Sequence, residues 1–117
     1  MSVDIIVNQL DEHNEASILI SKKLNPKQVY YILSKNEKET MKDIEKYYND
    51  NLGNIDIEAR VMEEGLIQEI EAFINNIKDK NVLINITGGK RINSLILLQL
   101  AIKSNIKAIS VDIKTKQ

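Results

Sequence analysis

Cysteine and tryptophan are absent from the 117 residues, and His13 is the one histidine. Without cysteine there is no thiol nucleophile, no thiolate metal site and no disulfide, a composition that fits a reducing compartment. Neither sign of charge is in excess: 16 Lys+Arg face 17 Asp+Glu, giving a net charge of −1 and a pI near 5.9. Proteins that coat duplex nucleic acid carry a large positive surplus, so duplex binding is disfavoured and any anionic ligand must meet a local cluster. Long apolar runs are missing as well. No segment approaches the roughly 18 residues of a membrane span. Met1-Ser2-Val3-Asp4 lacks the basic start and apolar stretch of a signal peptide. The expected location is cytoplasmic. There is no internal repeat, linker or low-complexity segment.

What is present is an ordinary globular balance, 43% hydrophobic and 28% charged. A chain of this length suits one domain and buries roughly two-thirds of its unfolded surface without covalent staples. Short apolar runs alternate with helical patterns. Val3 to Val7 is a strand, with Asn8 to His13 as a polar loop after it. Asn14 is placed to cap a helix whose inner face holds Ala16, Leu19, Ile20 and Leu24, until Asn25-Pro26 stops it. Val29 to Leu33 is the second strand. Asn36 with Glu39 suggests a capping box before a helix that packs Met41, Ile44 and Tyr48. Ile55 to Val61 alternates strictly. Glu63 to Lys78 carries Leu66, Ile67, Ile70, Phe73, Ile74 and Ile77 on one stripe. Val82 to Ile86 is the fourth strand. The helix after it is apolar over most of its circumference, from Ile92 to Ile102, and is expected to be the most buried. Ala108 to Ile113 is the last strand.

This alternation implies an α/β Rossmann-like three-layer sandwich with a mainly parallel five-stranded sheet. Strands one, two and four are nearly continuous apolar runs, as covered strands must be. Strands three and five alternate, with Asp56, Glu58 and Arg60, then Ser110 and Asp112, on one side, which suits sheet edges. With right-handed crossovers the order becomes 3-2-1-4-5. The chain then reverses between strands one and four, and ligands of open α/β sheets bind in that crevice. Its walls are Asn8, Gln9 and Leu10 on one side and Thr87 to Ser94 on the other.

The second wall suits phosphate. Gly88 and Gly89 bare backbone N–H groups at a helix start, Lys90 and Arg91 add charge, and Thr87 and Ser94 add hydroxyls. The bland alternative is a glycine turn beside two solvated cations. Known phosphate motifs are excluded. A Walker loop needs glycine where Ile84 stands and Ser or Thr where Arg91 stands. The loop after strand one holds no glycine, so the dinucleotide fingerprint is absent. A phosphoacceptor receiver would want acidic residues where Asn8 and Met62 are found.

At Asn85-Ile86-Thr87-Gly88-Gly89-Lys90-Arg91-Ile92-Asn93-Ser94 the chain resembles the CARF domains (CRISPR-associated Rossmann fold), sensors of type III CRISPR accessory effectors. Their fourth strand commonly runs into an Asn-hydrophobic-Thr-Gly-Gly-Thr-Lys-hydrophobic-Met-Ser stretch. The match is close over Asn85 to Gly89 and at Ile92, Ser94 and Leu95. Val7 to Leu10 and the Tyr30 to Ser34 strand also look like the family. Lys90 replaces the usual Thr, Arg91 the usual Lys, and Asn93 a frequent Met, which keeps a cation but changes its donor geometry.

The resemblance implies a single ligand-sensing domain over residues 1–117, with any fused effector beyond Gln117. A membrane effector would make the full-length protein membrane-associated. The implied ligand is a cyclic oligoadenylate, most often cyclic tetra-adenylate, held across a homodimer in antiviral defence. A ring of phosphates related by rotation suits a two-fold dimer that presents one crevice twice. Asn8, Gln9, Leu10, Thr87, Gly88, Gly89, Lys90, Arg91, Asn93 and Ser94 would line it. Capture of the ring would then shift an allosteric equilibrium that an effector reads. No metal and no cofactor is implied, and no catalytic residue is assigned. The alternative is a ring nuclease that ends the signal by aligning a ribose 2′-hydroxyl with phosphorus, for which Lys90, Arg91 and Ser94 would serve.

Other chemistry-bearing residues read more plainly. His13 beside Asp11 and Glu12 is weak as a metal or base site and fits a solvated loop. Lys35, Lys38, Lys42 and Lys46 are interleaved with acids and form a soluble face. Tyr30 and Tyr31 suit strand core, and Tyr47 and Tyr48 helix packing.

Overall fold

The computed structural model describes residues 3–62, 67–88 and 91–110. The element order is β1 (Ile5–Gln9), α1 (Glu15–Leu24), β2 (Gln28–Leu33), α2 (Lys38–Asn51), β3 (Asp56–Val61), α3 (Ile67–Ile77), β4 (Val82–Asn85), α4 (Arg91–Lys103) and β5 (Lys107–Ile109). All pairings are parallel and the sheet order is β3-β2-β1-β4-β5. Both the class and the order agree with the sequence. The central β1 is wholly buried, whereas the edge strand β3 is only partly covered.

Alternation along the strands builds two cores. Ile5, Val7, Tyr30, Ile32 and Ile84 meet α3 and α4 through Ile70, Phe73, Ile74, Leu97 and Leu100. Ile6, Leu10, Val29, Tyr31, Leu33 and Leu83 meet α1 and α2 through Ile20, Met41, Ile44 and Tyr48. At the edge, Arg60 lies 5.5 Å from the Tyr30 ring centroid and 5.7 Å from that of Phe73, and pairs with Glu58 at 2.8 Å. Stacked cations of this kind cover an apolar margin without burying their charge.

Five local expectations are corrected. Asn8 and Gln9 belong to β1 rather than to a polar loop. The buried face of α1 is Ala16, Ser17, Ile20 and Ser21, while Leu24 is exposed. The serines turn inward because two buried tyrosine hydroxyls need partners. Ser17 Oγ lies 2.7 Å from the Tyr31 hydroxyl, Ser21 Oγ 2.8 Å from that of Tyr48, and the two tyrosine oxygens are 3.0 Å apart. Ser17 Oγ donates to the Asn14 carbonyl at 2.9 Å and Ser21 Oγ to the Ser17 carbonyl at 3.1 Å, which leaves both serine oxygens to accept from the tyrosine hydroxyls. The helix start after β2 is set by Ser34, not Asn36, for Glu37 accepts from the Ser34 backbone N–H at 2.8 Å and from its hydroxyl at 2.9 Å. A 3-10 turn, Lys35–Glu37, then leads into α2.

The fourth correction concerns α4. Asn93, Ile96, Leu97, Leu100 and Ala101 are buried, but Leu95 is 60% and Ile102 74% exposed. It is therefore a half-covered helix, not the most buried one. Ile67 of α3, expected on the inner stripe, is also exposed. The expected contributions of Leu66 and Asp112 lie outside the described residues. Among the described residues no helix is long and apolar enough to cross a membrane.

Burial, and secondarily the neighbouring Tyr48, hold the Tyr31 hydroxyl well above the ordinary tyrosine range. The sign follows by linkage: above about pH 10 the unfolded chain gives up protons that the native state keeps, so stability falls as pH rises. Urea unfolding should show this fall, and Tyr31→Phe should flatten it, with roughly 1 kcal/mol separating the two slopes per pH unit above that point.

Candidate ligand crevice

β1 and β4 lie side by side with Val7 opposite Ile84, and their carboxyl ends open into loops that diverge. One leads to α1 on one face of the sheet and the other to α4 on the opposite face. The gap between the loops is the switch-point crevice. Its floor is a pair of buried amides. Asn85 Nδ2 donates to Asn8 Oδ1 at 2.8 Å, and Asn85 Oδ1 accepts the Thr87 backbone N–H at 3.0 Å. Asn8 Nδ2 is buried and has no partner among the described residues.

A second set of bonds shapes the glycine turn. Gln9 Nε2 donates to Ser94 Oγ at 2.7 Å and to the Gly88 carbonyl at 3.4 Å. Ser94 Oγ reaches the same carbonyl at 3.3 Å. Gly88 has φ +72°, a left-handed conformation in which glycine carries no side-chain penalty. Its bare side faces Asp11: a Cβ built there would lie 2.5 Å from Asp11 Oδ2.

The Asp11 loop is itself clamped. Asn14 Oδ1 accepts the Asp11 N–H at 3.1 Å, and Asn14 Nδ2 donates to the Asp11 carbonyl at 2.8 Å. Asp11 Oδ1 accepts the Glu12 N–H at 2.9 Å. Asn14 stands at the N-cap of α1, but its side chain makes no cap bond to the helix, because the loop takes both of its polar atoms. His13 is exposed, as a solvated loop residue would be.

The described residues among those selected from the sequence differ in what they offer. Arg91 opens α4 and is exposed, beside the N–H groups of that helix start. Gly88 is exposed, while Thr87 and Ser94 are half-buried. Asn8, Gln9 and Leu10 are 0%, 3% and 3% exposed, so they form the floor rather than an open wall. Leu10 packs in the α1–α2 core. Asn93 turns inward and lines a narrow cleft of about 20 Å³ with Gln9, Ser34, Glu37 and Met62. Gly89 and Lys90 lie outside the described residues. Larger clefts exist elsewhere, including one of about 360 Å³ at the amino ends of β4 and β5, lined by Lys78, Lys80 and Lys107, remote from these loops.

Sequence reasoning gave no role to Asn85 or Asp11 by themselves. The signal for Asn85 was present: one amide in an otherwise apolar buried strand. For Asp11 there was none, since its position depends on a glycine far along the chain.

No family model matches the chain, and no curated protein matches it. Solved structures do. Can2 from Sulfobacillus thermosulfidooxidans, solved in complex with cyclic tetra-adenylate, superposes with a TM-score of 0.81 at 20% identity over 93% of this chain. A type III CRISPR defence DNA nuclease activated by cyclic oligoadenylate gives 0.76 at 11% identity over 96%. What is shared is the fold. The chain spans 32% and 19% of the length of those two structures.

Gly88→Ala meets both the left-handed backbone and the Asp11 carboxylate. It should cost about 1–2 kcal/mol in urea unfolding. Adding Asp11→Ala should recover at least about 0.5 kcal/mol of that loss, as coupling between touching groups does.

Proposed function

We propose that residues 1–117 form one CARF-type sensor domain that binds a cyclic oligoadenylate, specifically cyclic tetra-adenylate, across a homodimer as part of a type III CRISPR antiviral response. The observation that carries this reading is the turn Thr87-Gly88 leading into Arg91 at the α4 start, at the carboxyl ends of β1 and β4. The free N–H groups of a helix start and an exposed arginine are found together there, and groups of this kind hold the oxyanions of phosphodiesters. The superposition on two proteins whose ligand or activator is a cyclic oligoadenylate supports the choice of ligand.

The crevice of one chain is a shelf rather than an enclosure, with Gly88 and Arg91 both exposed. A second copy would close it. The outward stripe of α4, Leu95, Leu98 and Ile102, runs from beside the crevice and is exposed by 60%, 36% and 74%. Three such side chains on one helix face are what a two-fold interface covers. Gln9, Leu10, Asn8 and Asn93 then act mainly by shaping the crevice, and Thr87, Gly88, Gly89, Lys90, Arg91 and Ser94 by meeting the ring. A fused effector would read the closure, and the site is proposed as cytoplasmic.

Calorimetry with rings of three, four and six adenylates tests the ligand. The four-membered ring should bind, and Arg91→Ala should weaken it at least tenfold, or ~1.4 kcal/mol. Unchanged affinity would overturn the site, and linear products after incubation would move the protein to ring cleavage. For the dimer, Leu95→Glu with Ile102→Glu should shift sedimentation from two copies to one and weaken ring binding at least tenfold, or ~1.4 kcal/mol.

A further inference from the structure

We propose that Asp11 is an internal anion lodged at the place where the ligand's phosphate arrives, so that it sets the affinity threshold of the crevice; this rests on the cyclic oligoadenylate reading above. The space that Gly88 leaves by lacking a Cβ is filled on that side by the Asp11 carboxylate. A Cβ at Gly88 would lie 2.5 Å from its Oδ2, 3.3 Å from its Cγ and 3.5 Å from its Cβ. The placement is built rather than casual. Asn14 holds the Asp11 backbone at 3.1 and 2.8 Å, and the Glu12 N–H holds Oδ1 at 2.9 Å.

A carboxylate and a phosphodiester are the same kind of guest: each offers oxygens with negative charge to backbone N–H groups and to a guanidinium. At 0.1 M salt the Debye length is about 10 Å, so two anions at one turn repel with little screening. The ring must therefore turn the carboxylate away or bind against its field, and either way only part of the intrinsic affinity is seen. Asp11 is half-exposed, so it has room to swing out. Among the described residues, its side chain accepts the Glu12 N–H.

Asp11→Asn removes the charge and keeps an oxygen for the Glu12 N–H. In calorimetry at low salt it should bind cyclic tetra-adenylate about tenfold more tightly than the parent, or ~1.4 kcal/mol. The gain should shrink towards parity at about 1 M salt, where the Debye length is about 3 Å. Glu12→Gln, which removes an exposed charge one residue away, should change affinity by less than about threefold, or ~0.65 kcal/mol. Asp11→Ala, with a thermal melt to show that it folds, should tighten binding as well. If the parent binds and both Asp11 variants bind equally or more weakly, the internal-anion proposal is overturned while the sensor reading stands. An equal gain from Glu12→Gln overturns it too, because a general field would then suffice. If neither parent nor variants bind any ring, both readings fall.

Discussion

Two buried amides facing each other across the ends of β1 and β4 constrain the rest of the crevice. The Asn85–Asn8 bond of 2.8 Å lies in a region where neither residue is more than 1% exposed. An unmet polar group in such a place costs about 1–3 kcal/mol, so loop conformations that break the pair are strongly disfavoured. Asn85 also takes the Thr87 N–H, which fixes where the chain leaves the sheet. From there Gln9 and Ser94 draw the Gly88 carbonyl inward. These bonds tie the chain from Thr87 to Gly88 onto the floor of the sheet.

Charge is managed locally. With a net charge of −1 the molecule has no long-range pull on an anion. Whatever attraction the crevice has for an anion must then be local, as from Arg91 and the N–H groups of the α4 start. The half-exposed Asp11 carboxylate stands beside Gly88 in that setting. On the proposal above it would offset the cations of the free crevice until a ligand with several phosphates displaced it.

The sheet order was legible because it rests on a local rule. Strands covered on both faces must be apolar throughout, and strands at an edge need not be, so β1, β2 and β4 separate from β3 and β5 in one dimension. The inner face of α1 was not legible. Ser17 and Ser21 look solvent-facing until Tyr31 and Tyr48, from β2 and α2, bring hydroxyls that require them. Two overlapping capping patterns, Ser34 with Glu37 and Asn36 with Glu39, compete in the sequence, and only packing chose the first. That the carboxyl ends of β1 and β4 lie side by side, with their loops diverging, was legible because the sheet order dictates it. The roles of Gln9, Asn14 and Asp11 within it depend on contacts between loops distant in sequence, which periodicity cannot encode.

Helix α4 joins these levels. Its inner side, Ile96, Leu97, Leu100 and Ala101, is locked into the core. Its first residue is Arg91, at the crevice, and Ser94 one turn on is bonded to Gln9 of β1. Its outer stripe of Leu95, Leu98 and Ile102 is left uncovered. A composition that is apolar nearly all round thus splits into a side that serves folding and a side left at the surface, the one proposed above to meet a second copy. If a second copy covers that stripe, as proposed above, coupling between ring and partner needs only a difference in how well the ring fits the paired and unpaired chains.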